Sequence, residues 1–228
     1  MNVESLRARL GSSRWLLAVE FTLLACVFVA DAYHYVYFSK TPYLLAIAWL
    51  SLALRGMRWR DIGLGFGPQW RSLVAIGLGA GIAMELLELM VTQPALAALT
   101  GKLPDLSKFR ALQGNLGLLL ILIGASWLVA GFGEELAWRG YVLNRIVDAV
   151  GRTRVGWMIS VFACSVVFGL AHAYQDIAGV IENAIAGALL ALIYLACGRR
   201  LLPAIVAHGT TDTIDFLIIY SGHYPGMQ

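Results

Sequence analysis

Two adjacent carboxylates, Glu134 and Glu135, stand beside a strongly apolar run, and Arg139 follows the second by four residues. On a helix Glu135 and Arg139 share a face, with the acid N-terminal to the base, the favourable order for an ion pair. Glu134 then points about 100° away and is the carboxylate left free for chemistry. Two more placements four residues apart fall in apolar segments: Phe168 with His172, and His208 with Asp212. Glu134, His172, His208 and Asp212 form a chemical set. Peptide-bond hydrolysis needs a base to activate water, donors for a developing oxyanion and an acid for the leaving amine, and a carboxylate with two imidazoles covers all three. Phe168, one turn before His172, would hold that ring by packing, and Asp212, one turn after His208, would accept its N–H and fix the tautomer. The plainer reading of the Glu-Glu stretch is a helix end at a membrane surface, with both acids solvated and Arg139 snorkelling.

The elements that must position these groups are membrane helices. The sequence is 59% hydrophobic and 14% charged, with a mean hydropathy of +0.73, against about 25% charged residues in ordinary soluble domains. Its 228 residues hold roughly seven spans of ~20 residues with short connections and no separate soluble domain. The expectation is one all-α domain over residues 1–228, a polytopic bundle of about seven transmembrane helices. Apolar segments at 15–38, 41–54, 73–91, from 115 into the Glu-Glu stretch, 155–172, 177–197 and 202–220 supply the spans. The stretch 92–113, with Pro94 and Pro104, reads as a loop with a surface helix. A basic start before an apolar run also describes a signal peptide, but Glu20 and the aromatic end at Tyr33, Tyr35 and Tyr37 favour a retained span.

On this model thirteen of the seventeen basic residues fall on the N-terminal side: Arg7, Arg9 and Arg14; Arg55, Arg58, Arg60 and Arg71; Arg139, Arg145, Arg152 and Arg154; Arg199 and Arg200. Lys40, Lys102, Lys108 and Arg110 fall on the other. The positive-inside rule then places the N-terminus in the cytoplasm and the C-terminus outside an inner membrane. Cys26, Cys164 and Cys197 lie in apolar runs without C-x-x-C spacing, so neither a disulfide framework nor a thiolate zinc site is supported. Glu20, Asp31, His34, Glu85, Glu88, Glu182 and Asp215 also fall within or beside spans. Each costs at least ~2.5 kcal/mol at a helix centre facing lipid, so these groups should face the bundle interior or a wet cavity. Glu85 and Glu88, one turn apart, read first as interhelical hydrogen-bonding groups.

The three placements resemble the motifs of the CAAX protease and bacteriocin-processing family of glutamic intramembrane proteases. These are Glu-Glu-x-x-x-Arg at Glu134 to Arg139, Phe-x-x-x-His at Phe168 to His172, and His-x-x-x-Asn/Asp at His208 to Asp212, in the family's order within about 115–220. The resemblance implies a helical membrane endopeptidase with no cofactor and no metal, acting on a membrane-associated or lipidated protein or peptide, with the bilayer and not nucleic acid as its surroundings. It also implies that Glu134 activates the water with His172 assisting, that His208 and residue 212 form the oxyanion site, and that Glu135 and Arg139 hold the geometry. Many members have Asn at the last position, and an ionised Asp212 has no proton to donate. Asp212 must be protonated or act by orienting His208.

At ~1.5 Å per residue, Glu134 lies roughly 16 Å from Arg145 and His208 about 12 Å from Arg200, but His172 roughly 27 Å from Arg154. Either span five tilts or it begins after Arg154. A helix break at Gly131 and Gly133 would give Glu134 a fresh N-terminus favouring its ionised form, and the cavity is expected on the cytoplasmic half. The rival classes are a zinc-dependent membrane metalloprotease using the same Glu and His residues, a proton-coupled transporter using the buried carboxylates, and a non-enzymatic membrane partner.

Overall fold

Helices in this chain begin where a side chain can cap them and end where glycine can turn the backbone. The computed structural model describes residues 13–37 and 39–227, so Arg7, Arg9 and the Phe38 end of the first expected span lie outside the described residues. Ser13 Oγ accepts the Leu16 N–H (3.2 Å) at the start of α1, Arg14–Ala32. Pro42 opens α2, Thr41–Arg55, and Gly56 at φ 68° ends it. Helix α3 runs Trp70–Thr100 and stops at Gly101, φ 71°. Asn115 Oδ1 caps α4, Leu116–Val150, by accepting from Leu118 (3.1 Å). Thr153 Oγ1 does the same for α5, Arg154–Leu170, accepting from Gly156 (3.0 Å). A 3₁₀ turn, Ala173–Gln175, leads into α6, Asp176–Ala196, and α7, Leu201–Ser221, ends at Gly222, φ 78°.

The result is the expected all-α membrane bundle, with no strand among the described residues. Helices α1, α3, α4, α6 with its leading turn, and α7 are long and apolar enough to cross a membrane. Helices α2 and α5 are apolar but shorter, at 15 and 17 residues.

Two local expectations are corrected. Helix α3 continues where a loop from residue 92 was expected: a π turn, Glu88–Thr92, precedes Pro94, which then occupies the first turn of the renewed helix. Proline is tolerated there because its missing N–H lies in a first turn. Nor do Gly131 and Gly133 break α4. The helix runs on through two π segments, Ser126–Glu134 and Leu136–Val142, so Glu134 has no helix N-terminus beside it. The glycines serve close packing instead. A Cβ at Gly131 would lie 3.1 Å from the Ile205 carbonyl oxygen of α7, and one at Gly133 would lie 2.9 Å from Thr41 Cγ2 of α2.

Helix α7 packs at the centre in the same way. A Cβ on Gly77 of α3 would fall 2.6 Å from Val206 Cβ, and one on Gly81 2.6 Å from the Ala207 carbonyl oxygen. Small residues let helices approach closely where lipid supplies no hydrophobic drive. Between α1 and α2, Arg55 Nη2 meets Glu20 Oε2 at 2.7 Å, both side chains buried, and Ser51 Oγ donates to the same carboxylate.

The loops gather at two ends. At one, Leu201 N–H donates to the Gly63 carbonyl (3.0 Å), and the Arg152 and Arg199 guanidiniums lie 5.6 and 5.9 Å from the Trp157 ring. At the other, Asp105 N–H donates to the Gln175 carbonyl and Gly114 N–H to that of Tyr220, both at 3.0 Å. Hydrogen bonds from Ser107 hold the exposed Asp105 carboxyl below the usual carboxylate range.

Candidate active site

The spacing of Glu135 and Arg139 on α4 sets up the ion pair that anchors the site. Arg139 Nη1 donates to Glu135 Oε1 at 2.6 Å, with the side chains 1% and 0% exposed. The arginine is therefore buried rather than snorkelling. Its Nη2 donates to the Gly187 carbonyl of α6 (3.1 Å), and its guanidinium lies 4.5 Å from the Phe168 ring centre. Gly187 permits this approach, since a Cβ there would come 3.1 Å from Phe168 Cδ1.

Glu135 has a second duty that spacing did not reveal. His208 Nδ1 lies 2.8 Å from the same Oε1, so a carboxylate 73 residues away holds the imidazole. A carboxylate only accepts, which puts the proton on Nδ1 and turns Nε2 toward Asp212. Asp212 Oδ1 is 3.7 Å from Nε2, too long for a hydrogen bond. The tautomer-fixing partner expected in Asp212 is thus Glu135, because α7 presents Nδ1 to α4 rather than along its own axis.

Phe168 is where the motif segments meet. Its ring centre lies 4.9 Å from that of His172, 6.3 Å from that of His208 and 5.3 Å from that of Trp138. His172 follows the end of α5 and turns its Nδ1 back to the Phe168 carbonyl at 2.9 Å. A carbonyl likewise only accepts, so Nε2 is left as the basic nitrogen. Helix α5 does begin at Arg154, so a late start does not account for the depth of His172. The shared contacts on Phe168 bring it level with His208.

Glu134 is less committed than Glu135. Its Oε1 receives a 3.3 Å hydrogen bond from Thr41 Oγ1 of α2, across 93 residues, and bare Gly133 leaves room for that threonine. Glu134, His172, His208 and Asp212 all line one cavity of about 420 Å³, with Phe168 in its wall. Glu135 and Arg139 lie behind that wall.

Ser39, Leu106, Phe109, Tyr174 and Tyr224 also line the cavity. They belong to the end away from the arginine-rich loops, so the cavity extends into the half opposite to the one expected. The cause is visible in the chain: His172 sits past the C-terminus of α5, and Leu106, Phe109 and Tyr224 from the loops at that end complete the lining. Among the described residues no three His, Cys, Asp or Glu side chains are grouped to hold a metal ion.

Residues 116–214 match the family described as type II CAAX prenyl endopeptidase, Rce1-like. They form an Rce1-like domain. The match agrees with the resemblance carried by the three motifs, all of which fall inside it, and it supports a multi-pass membrane protease. No curated protein and no solved structure matches the chain. The Rce1-like domain includes Glu182 but leaves out Thr41, Glu85, Glu88, Asp215 and Tyr224. Of these, Glu88, Asp215 and Tyr224 line the cavity together with Glu182. Tyr224 accepts from Gln93 Nε2 (2.8 Å) and donates to Glu88 Oε1 (3.3 Å). Burial, with Asp215 and Glu88 beside it, pushes the Tyr224 phenol well above its usual value and keeps it a neutral donor. The sequence offered no periodicity or motif that would have assigned Thr41 or Tyr224 to the site.

Proposed function

We propose that the chain is a glutamic intramembrane endopeptidase that cleaves a peptide bond of a membrane-associated or lipidated protein or peptide. The observation that carries this reading is the convergence of Glu134, His172, His208 and Asp212 on one cavity within a membrane bundle. Glu134 takes a proton from water as its oxygen adds to the scissile carbonyl carbon. His172, through Nε2, helps orient that water. His208 acts as an imidazolium, with Nδ1–H on Glu135 and Nε2–H on the developing oxyanion, while Asp212 orients the ring from beside Nε2. The C–N bond then breaks, and the proton held by Glu134 passes to the leaving amine. Thr41 fixes the rotamer of Glu134, and the Glu135–Arg139–Phe168 assembly fixes that of His208.

The positive-inside balance supports an inner-membrane protein with a cytoplasmic N-terminus. The cavity then extends into the outer half, where an anchored substrate would reach it through lipid or from the far surface. Prenylated C-terminal tails are the substrates that the family's description implies; peptide leaders and membrane-anchored regulators fit the same chemistry. The test is cleavage of a mixed library of prenylated and unprenylated membrane peptides by purified protein in vesicles, read by mass spectrometry. Cleavage that survives a strong chelator and is lost in Glu134→Gln supports the reading. Cleavage retained in Glu134→Gln removes the glutamic mechanism, and cleavage lost to chelator reinstates the zinc alternative.

A further inference from the structure

The half of the cavity away from His208 is acidic and uncompensated. Glu88 of α3, Glu182 of α6 and Asp215 of α7 line it, with Glu85 of α3 against Asp215 behind. Among the described residues no lysine or arginine lines this cavity, and no ion pair joins these four carboxyls to a basic side chain. Neutral polar groups serve part of the set: Gln93 Nε2 and Tyr224 O–H each reach Glu88 Oε1 at 3.3 Å, Gln93 also neighbours Glu182, and Tyr224 also neighbours Asp215. Glu182 is 7% exposed, faces the cavity, and its Oε1 meets no donor; Asp215 Oδ1 is likewise without one.

Buried and half-buried carboxyls of one sign in an apolar bundle are costly unless a proton or a cation joins them. Walls of Met84, Leu122, Ala186 and Phe216 run up to these acids. An apolar passage ending in acceptors fits an alkyl stem with a cationic tip, the form of lysine and arginine side chains. We propose that this end of the cavity is a subsite for a lysine or arginine side chain of the substrate, held beside the scissile bond by Glu88, Glu182 and Asp215. The subsite deepens the protease reading and rests on it for the word substrate. Glu88 comes from α3, outside the matched residues, Asp215 stands one residue past them on α7, and Glu182 lies within them.

The experiment separates the two ideas by reading binding apart from turnover. The full chain carrying Glu134→Gln, in nanodiscs of neutral phosphatidylcholine, is titrated with two end-blocked leucine-rich peptides that differ only in a central lysine or norleucine, with empty nanodiscs subtracted. The lysine peptide is expected to bind about tenfold tighter, the size of a charge-assisted hydrogen bond or two. The preference should fall below about twofold when Glu88→Gln and Glu182→Gln are added. Glu182→Gln alone, which should narrow it, serves if the combined variant fails to fold. Equal binding of the two peptides, binding of neither, or a preference untouched by loss of the acids overturns the subsite. A lysine preference with no cleavage of either peptide by the unsubstituted protein overturns the protease reading and leaves the subsite standing.

Discussion

Two groups of buried carboxylates share this bundle and are treated in opposite ways. Glu20, between α1 and α2, receives Arg55 at 2.7 Å and Ser51 and does not line the cavity. Glu85, Glu88, Glu182 and Asp215 have no basic partner among the described residues, and the last three line the cavity. The first group is an internal clamp, complete when the chain is folded. The second is held by surrounding packing in a state that a ligand or a proton completes. The motif carries the same division within two adjacent residues: Glu135 is held by Arg139 and His208, whereas among the described residues Glu134 has the long hydrogen bond from Thr41 and no basic partner. A buried acid held by a basic side chain acts as a clamp, and one with no basic side chain against it is placed for chemistry or binding.

Substitutions sharpen that contrast, and the largest effect is expected at the closed pairs. Arg139→Leu strands Glu135 in a dry core and should cost ~3–5 kcal/mol of stability, seen as a large drop in the unfolding midpoint. An unchanged midpoint would show that the pair is not what holds α4. Arg55→Leu should cost a similar ~3–5 kcal/mol, at the lower end because Ser51 still serves Glu20. Cleavage per folded molecule should be unchanged, and the apolar double replacement Glu20→Leu with Arg55→Leu should recover most of the lost stability. Glu85→Gln is expected to act with the opposite sign. Neither Glu85 oxygen meets a donor, so removing the ionisable group should leave stability equal or raise it by ~1 kcal/mol, and a loss comparable to Arg55→Leu would erase the distinction between the two groups. The smallest change belongs to Thr41→Val, which deletes one 3.3 Å hydrogen bond. It should cost ~0.5–1 kcal/mol in stability while reducing turnover several-fold, and turnover equal to the unsubstituted protein would free Glu134 from that support.

Much of this arrangement was legible beforehand because helices write their pattern locally. Apolar runs and basic flanks gave the segments, and a spacing of four gave the Glu135–Arg139 pair and the packing of Phe168 on His172. What stayed hidden depends on residues far apart in the chain. The bond from His208 to Glu135 spans 73 residues, and that from Thr41 to Glu134 spans 93. Pro94 and the glycine pair at 131 and 133 misled for a shared reason. Both read locally as helix breakers, yet π turns and close contacts with α2 and α7 let the helices continue through them. The side to which the cavity extends was equally non-local, since Leu106, Phe109 and Tyr224 reach it from distant loops.

The division of labour between Glu134 and Glu135 is tested most directly by making Glu134→Gln and Glu135→Gln separately and measuring unfolding midpoint and peptide cleavage on the same samples. Glu134→Gln should keep the midpoint of the unsubstituted protein and lose cleavage by ~10²–10⁴-fold. Glu135→Gln should lower the midpoint strongly, because Arg139 loses its charge partner. Cleavage that persists in Glu134→Gln, or a midpoint that falls as far there as in Glu135→Gln, would contradict the assignment of the free carboxylate to the chemistry.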